Sequence, residues 1–304
     1  MIRRIVASGV ASSRLPDEPA NGRAGKHVPR ILELLAQAGV TPELHISDAT
    51  GDIENLVRSL LASDARTLLI AGGDGSVHEA VNGILGSRSD AAFGVIPVGT
   101  GNDFAKAAEI PADWVTATRL LADRLTSNAS PRRIDAGRMN ERFFANGAGI
   151  GFDATVTRYA SEYRLPIGDL VYLLGIFRAM AKGVATPTMT IRCNDIVWDA
   201  PLTLVAVSNG PWVGGMFHIA PMAQHADGLL ELLIAAPVTR RRILRLLPKL
   251  VQGTHMGEQE ITHHTITRVQ IDSSAPLASQ LDGEVQPLQQ QFEIEVLPAA
   301  LRLL

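Results

Sequence analysis

"LLIAGGDGSVHEAVNGIL", residues 68–85, decides the fold. The apolar run Leu68 to Ala71 meets Gly72, Gly73, Asp74 and Gly75, after which Val77, Ala80, Val81, Ile84 and Leu85 recur at helical spacing. A buried strand therefore turns into an amphipathic helix. One glycine and a capping residue suffice for such a turn, so three glycines around a carboxylate mean backbone that approaches something closely. Outward from this stretch the same alternation continues. Residues 28–38 carry Val28, Ile31, Leu32, Leu34 and Leu35 on one helical face, with Gly39 as the stop signal. "PELHI" (42–46) reads as a strand, 52–63 as a second helix and "TLLIA" (67–71) as a buried strand. "AFGVIPVGTGND" (92–103) repeats the strand and the glycine turn. This βαβ rhythm predicts a parallel sheet with helices on both faces, whose ligands sit beyond the carboxyl ends of the strands. Both glycine turns fall there.

From about residue 132 the rhythm changes to short strand-like runs, among them "RRIDAGRM", "TMTIRC", "LTLVAVSN", "LLELLIAA" and "FEIEVLP", broken by helical patterns near 168–182 and 239–252. A second, mainly antiparallel β domain is expected. The polar, proline-broken "TSNASPRR" (126–133) marks the boundary. The expected domains are thus 1–130 and 131–304, with a tail of about 296–304 returning to the first.

Composition bounds the function. The 304 residues hold 28 Lys and Arg against 31 Asp and Glu, a net charge of −3, so no basic field calls for nucleic acid. Cys193 is the one cysteine, which rules out an internal disulfide framework and suits a reducing cytoplasm. No run reaches the roughly 18 apolar residues of a membrane span. "MIRRIVASGVASS" at the start reads as a first strand rather than a secretion signal, because its apolar part is short and rich in small residues.

Glycines that lead into a helix N-terminus offer backbone N–H groups to an anion, and the helix dipole favours phosphate there. Asp74 would repel a bare phosphate, but it fits a divalent cation held between carboxylate and phosphate oxygens. A nucleoside triphosphate with Mg²⁺ is the expected ligand. Ser76 and Glu79 also have the spacing of a capping box. In the second turn Gly99, Thr100, Gly101 and Asn102 offer donors and Asp103 another carboxylate, although Asn102 or Asp103 could simply cap a helix. Three other motifs fail. "GRAGKH" (22–27) lacks the Walker spacing, "GAGIGF" (147–152) lacks the third glycine of the dinucleotide fingerprint, and "HEAVN" (78–82) has Asn82 where a zinc helix needs histidine.

"GGDGSVHEAVNG" followed by "PVGTGNDFA" resembles the diacylglycerol kinase catalytic family, which includes sphingosine kinases, ceramide kinases and soluble bacterial lipid kinases. The similarity continues through "FFANGAGIGFDATV" (143–156), "GDLVYLLGIFRAM" (168–180), "VSNGPWVGGMFHIAPMAQHADGLLELLI" (207–234) and "LDGE" (281–284), nearly the whole chain. The resemblance implies a two-domain kinase with ATP and Mg²⁺ in an interdomain cleft between an α/β domain and a β-rich lipid domain. It puts the nucleotide and magnesium positions on Gly72, Gly73, Asp74, Gly75, Gly99, Thr100, Asn102 and Asp103, and Glu79 and Gly101 are expected beside them. The family's catalytic Asp-Gly-Glu falls on Asp282, Gly283 and Glu284. Either Asp282 or Asp74 receives the hydroxyl proton, and Glu284 supports the metal or the base. A structural cation is implied at Asp227 with the backbones of Gln224 and Leu229, where the alternative is an ordinary turn.

One departure stands out. The family's Asn-Pro-x-Ser-Gly phosphate turn has its nearest counterpart in "EPANG" (18–22), where a glutamate faces the phosphate. The expected reaction is transfer of the γ-phosphoryl group of ATP to a hydroxyl of a lipid such as diacylglycerol or a sphingoid base. The alternatives are a silent lipid-binding protein on the same scaffold and a soluble-metabolite kinase related to NAD kinase. Leu170, Val171, Leu173, Leu174, Phe177 and Met180 would supply a lipid cleft or plain core. "TRRRILRLLPKL" (239–250) suits a helix on an anionic membrane surface, or a core helix with a basic face. Expected partners are therefore a lipid substrate, a peripheral contact at the inner membrane surface of the cytoplasm, and a second copy in a homodimer, with no nucleic acid.

Overall fold

A computed structural model of the chain describes residues 3–8, 23–47, 49, 51–163, 170–194 and 196–304. The "EPANG" turn lies outside the described residues. The chain divides into two compact units, Met1–Ile134 with Ala299–Leu304, and Asp135–Pro298.

The first unit alternates as its periodicity demands: β1 (Arg3–Ser8), α1 (Arg23–Gln37), β2 (Glu43–Ser47), α2 (Asp52–Ala62), β3 (Thr67–Gly72), α3 (Asp74–Gly86), β4 (Ala92–Pro97), α4 (Asp103–Ala107) and α5 (Trp114–Thr126). The helix α5 was not foreseen; Asp113 caps it by accepting the Thr116 N–H at 2.9 Å. The strands pair in parallel in the order β4-β3-β1-β2. Every residue of β3 and β4 is buried, the mark of a strand covered on both faces. Leu69, Ala71, Ile96 and Ile5 pack with Val28, Ile31 and Leu35 of α1 and Leu121 and Leu125 of α5. The alternate residues Leu68 and Ile70 face the other way and are equally buried, on the side where α2 and α3 pack together. That packing needs Gly83, since a Cβ there would lie 2.8 Å from the Val57 side chain.

The second unit contains β5 (Arg132–Met139), β6 (Arg142–Phe144), β7 (Gly147–Gly151), α6 (Phe152–Ser161), α7 (Leu170–Lys182), β8 (Thr188–Cys193), β9 (Ile196–Pro201), β10 (Leu204–Ser208), β11 (Leu230–Ala235), α8 (Arg240–Gln252), β12 (Ile261–Ile266), β13 (Arg268–Leu281) and β14 (Glu284–Leu303). Its strands run antiparallel in the order β12-β11-β10-β7-β13-β14, with the β8–β9 hairpin on β13. Their inward residues, including Ile150, Val205, Leu232, Ile271 and Phe292, form one core. Beside it α6, α7 and α8 gather a second apolar cluster around Val156, Ile176, Met180, Phe217 and Ile243. The last residues of β14 pair in parallel with β4, Arg302 opposite Ala92 and Leu303 opposite Phe93, and bury Leu301 and Leu303 in the first unit. Among the described residues no helix is long and apolar enough to cross a membrane.

Candidate active site

Gly72 lies opposite Pro97 in the β3–β4 register, so the two glycine turns leave the sheet side by side at its carboxyl edge. They touch backbone to backbone. A Cβ on Gly99 would stand 2.5 Å from the Gly73 Cα, and one on Gly73 would stand 3.1 Å from the Gly99 Cα. Only glycine permits that approach. The helix α3 begins at Asp74 with Gly73 as its N-cap, a residue that has no side chain to cap the first turn. Asp74 itself bridges the turns: Oδ1 accepts the Phe104 N–H at 3.0 Å, at the start of α4. Asn102 is in the left-handed region, φ 50°, and its Nδ2 donates to the Gly99 carbonyl at 3.0 Å. Its Oδ1 is buried with no hydrogen-bond partner. Asp103 is buried and has Lys106 at 3.4 Å. A closed-up glycine cradle, helix N–H groups, a carboxylate on either side and an orphaned amide oxygen fit a magnesium triphosphate.

One expectation for the first turn is corrected. No capping box forms, because Ser76 already has helical backbone inside the first turn and cannot be the N-cap. Glu79 instead accepts the N–H groups of Gly51 (2.8 Å) and Ile53 (2.9 Å), and so caps α2, which has no side-chain cap of its own. Both of its oxygens serve a neighbouring helix.

In the second unit, Asp282 and Gly283 form the two-residue hairpin between β13 and β14, with φ 52° and 91°. This is the type I′ turn that an Asp-Gly pair between two strand-like runs favours. The Asp282 carboxylate accepts three backbone N–H bonds, from Ala145 (2.9 Å), Asn146 (2.8 Å) and Gly147 (2.9 Å). It thereby clamps the "ANG" segment that enters β7. Glu284 opens β14 and is half-buried.

The Asp227 turn has an ordinary geometry. Asp227 Oδ1 accepts the Leu229 N–H at 3.0 Å, Gly228 has φ 74°, and Gln224 is exposed. The buried Asp135 holds the same turn by accepting the Gly228 N–H at 2.7 Å, a role that no local pattern announces. Among the described residues no group of three or more His, Cys, Asp or Glu is arranged to hold a metal ion.

An apolar cavity of about 100 Å³ lies between α6, α7, α8 and the sheet of the second unit. Tyr172 and Ile176 face it from α7, while the expected Leu170 and Phe177 are exposed on the opposite side. The expected Leu173 and Met180 do pack with the apolar cluster of α6, α7 and α8, and Gly175 presses against the backbone of α6, where a Cβ would lie 2.7 Å from the Val156 carbonyl. At the wall of the cavity sits Asp153, which sequence reasoning missed. Its carboxylate accepts the Tyr172 hydroxyl at 2.5 Å and the Gln280 amide at 2.8 Å. Burial pushes this carboxyl above the ordinary carboxylate range, against the opposing pull of the Tyr172 and Gln280 hydrogen bonds.

An α/β unit with a double glycine turn, joined to a β-rich unit with an apolar cavity, has the architecture of a lipid kinase. Residues 18–136 match the diacylglycerol kinase catalytic domain, and residues 147–304 match the YegS C-terminal NAD kinase beta sandwich-like domain. The chain belongs to the family of diacylglycerol kinases and YegS-like lipid kinases. It is 29% identical over 275 residues to a diacylglycerol kinase of Bacillus subtilis, covering 90% of this chain and 89% of the relative. It is 31% identical over 281 residues to a "Probable lipid kinase YegS-like" of Xanthomonas oryzae, covering 88% of each. The solved structure of a diacylglycerol kinase from Bacillus anthracis superposes with a TM-score of 0.71 over 99% of this chain and 96% of the other, at 21% identity, a likeness of fold.

Proposed function

We propose that the chain transfers the γ-phosphoryl group of ATP to the hydroxyl of a neutral glycerolipid such as diacylglycerol, with Mg²⁺ as cofactor. The carrying observation is the backbone contact of Gly73 with Gly99, which sets two helix N-termini side by side at the carboxyl edge of a parallel sheet. The N–H groups of both turns would hold the phosphates, and Asp74, Asn102 and Asp103 would hold Mg²⁺. The metal, when bound, neutralises charge on the phosphoryl oxygens. Asp282, engaged by three backbone N–H groups, serves as a positioning residue, and the hydroxyl proton is assigned to Asp74. The apolar cavity of the second unit would take part of an acyl chain, and the Tyr172–Asp153–Gln280 group would meet the polar end of the lipid.

The test is phosphorylation by labelled ATP of a panel containing diacylglycerol, a sphingoid base, phosphatidylglycerol and NAD. Magnesium-dependent labelling of diacylglycerol is the expected result. Labelling of NAD alone, without lipid or detergent, would replace this reading with the soluble-metabolite kinase. Binding of lipid without transfer would leave the silent scaffold.

A further inference from the structure

The helix α8 has two faces of opposite chemistry. Ile243 and Leu246 are buried, and with Leu247 and Leu250 they wall the apolar cavity. At about 100° per residue, the opposite face carries Arg240, Arg241, Leu244, Arg245, Pro248 and Val251. All six are exposed, Leu244 by 46% and Val251 by 45%. On that face Leu244, Pro248 and Val251 form the middle, with Arg240 on one flank and Arg241 and Arg245 on the other.

The other basic residues of the helix behave differently. Arg242 is held by Glu258 and Glu260, and Lys249 by Glu258. Among the described residues Arg240, Arg241 and Arg245 have no acidic partner. The helix is thus anchored by one set of cations and presents the other set outward around exposed hydrocarbon.

We propose that this outer face of α8 docks on an anionic lipid bilayer. Both halves of the face find their complement there: lipid phosphates pair the three arginines, and the upper acyl region receives Leu244 and Val251. A nucleic acid would match the arginines but leave the apolar centre in water, and the chain as a whole carries a net charge of −3. Docking would set the cavity wall formed by Ile243 and Leu246 at the surface from which a lipid is taken. Only that last consequence rests on the lipid-kinase reading.

The experiment is vesicle sedimentation of the full chain, without ATP, on phosphatidylcholine vesicles with and without phosphatidylglycerol. Each arginine near the surface contributes roughly fivefold in affinity at physiological salt, so Arg240→Gln, Arg241→Gln and Arg245→Gln combined should weaken anionic-vesicle binding by ~10²-fold. Leu244→Gln, on an exposed site that leaves the fold intact, should weaken binding to the same vesicles and preserve its salt dependence. Both variants should phosphorylate a monomerically dispersed short-chain diacylglycerol at the parental rate. Parental binding by the triple variant, equal binding of the parent to neutral and anionic vesicles, or binding of the parent to heparin but to no vesicle would each overturn the proposal. Loss of vesicle binding in the variants, with no phosphorylation by the parent, would uphold docking and refute the kinase reading instead.

Discussion

Asp74 and Asp282 are chemically alike, but the backbone treats them differently. Asp282 accepts three N–H bonds, and an amide in its place would present two donors where donors already point. Asp282→Asn should therefore lower stability by about 1–3 kcal/mol, read by urea unfolding. A variant with parental stability would show that the clamp carries nothing. Asp74 gives one oxygen to the Phe104 N–H, a bond that an asparagine carbonyl can keep. Asp74→Asn should keep the fold and slow single-turnover phosphoryl transfer by about 10² to 10⁴, with a weaker Mg²⁺ dependence of ATP binding. Unchanged turnover would move the proton acceptor elsewhere. Asp153 adds a pH prediction. Its folded carboxyl holds its proton to higher pH than the unfolded one, so the folded state binds more protons and stability falls as pH rises. The penalty is absent below the unfolded value near about 4 and complete above the raised folded value. Denaturation of the Asp153→Asn variant across that range should show a shallower decline than the parent; parallel curves would remove Asp153 as the titrating group.

Among the elements, α8 and the segment after it are tied by ion pairs that acid can undo. The Arg242 hydrogen bonds bring the Glu260 carboxyl down to about 2, and the hydrogen bonds of Lys249 and then Arg242 lower that of Glu258. A depressed folded value stabilises above the unfolded carboxyl value of about 4.3, and this contribution disappears as pH falls toward the folded one. Arg242→Gln should flatten the loss of stability over that acidic window. The readout is acid unfolding followed by circular dichroism, and an acid limb identical to the parent's would show that the tether does not contribute. The same element-scale logic explains Glu79. Its sequence neighbourhood suggests service to its own helix, yet α2 packs on α3 and leaves the Gly51 and Ile53 N–H groups within reach.

Across the whole molecule, the first unit is completed by the last six residues. Leu301 and Leu303 are 1% and 0% exposed, and Leu303 pairs with Phe93 of β4. Burial of a leucine contributes roughly 2 kcal/mol, so ending the chain at Pro298 should destabilise the first unit by several times the thermal energy. Hydrogen exchange should accelerate in β4 and β3 and leave β10 and β11 protected. Uniform protection would mean that the returning strand is dispensable. Because ATP binding is proposed on the same sheet, the truncated chain should also gain less thermal stability from Mg-ATP than the parent does.

What could be read without the structure was whatever has a local period. The βαβ alternation, the two glycine turns and the change to short strands rest on spacings of 3.6 and 2 residues, which neighbouring side chains display by themselves. The "LDGE" hairpin carried an equally local signal, an Asp-Gly pair that favours positive φ, which the sequence reading passed over for the family motif. Partners distant in the chain carried no such signal. Asp282 clamps Ala145 from 137 residues away, Asp135 holds Gly228 from 93, and Glu79 caps Gly51 from 28. Nor could the sequence show which side of α7 faces the cavity, because Leu173, Ile176, Phe177 and Met180 are all apolar and the press of Gly175 on α6 sets the rotation. Local periodicity states which face an element must bury; only close packing decides against which neighbour, and so which polar groups are left for one another and which for a ligand.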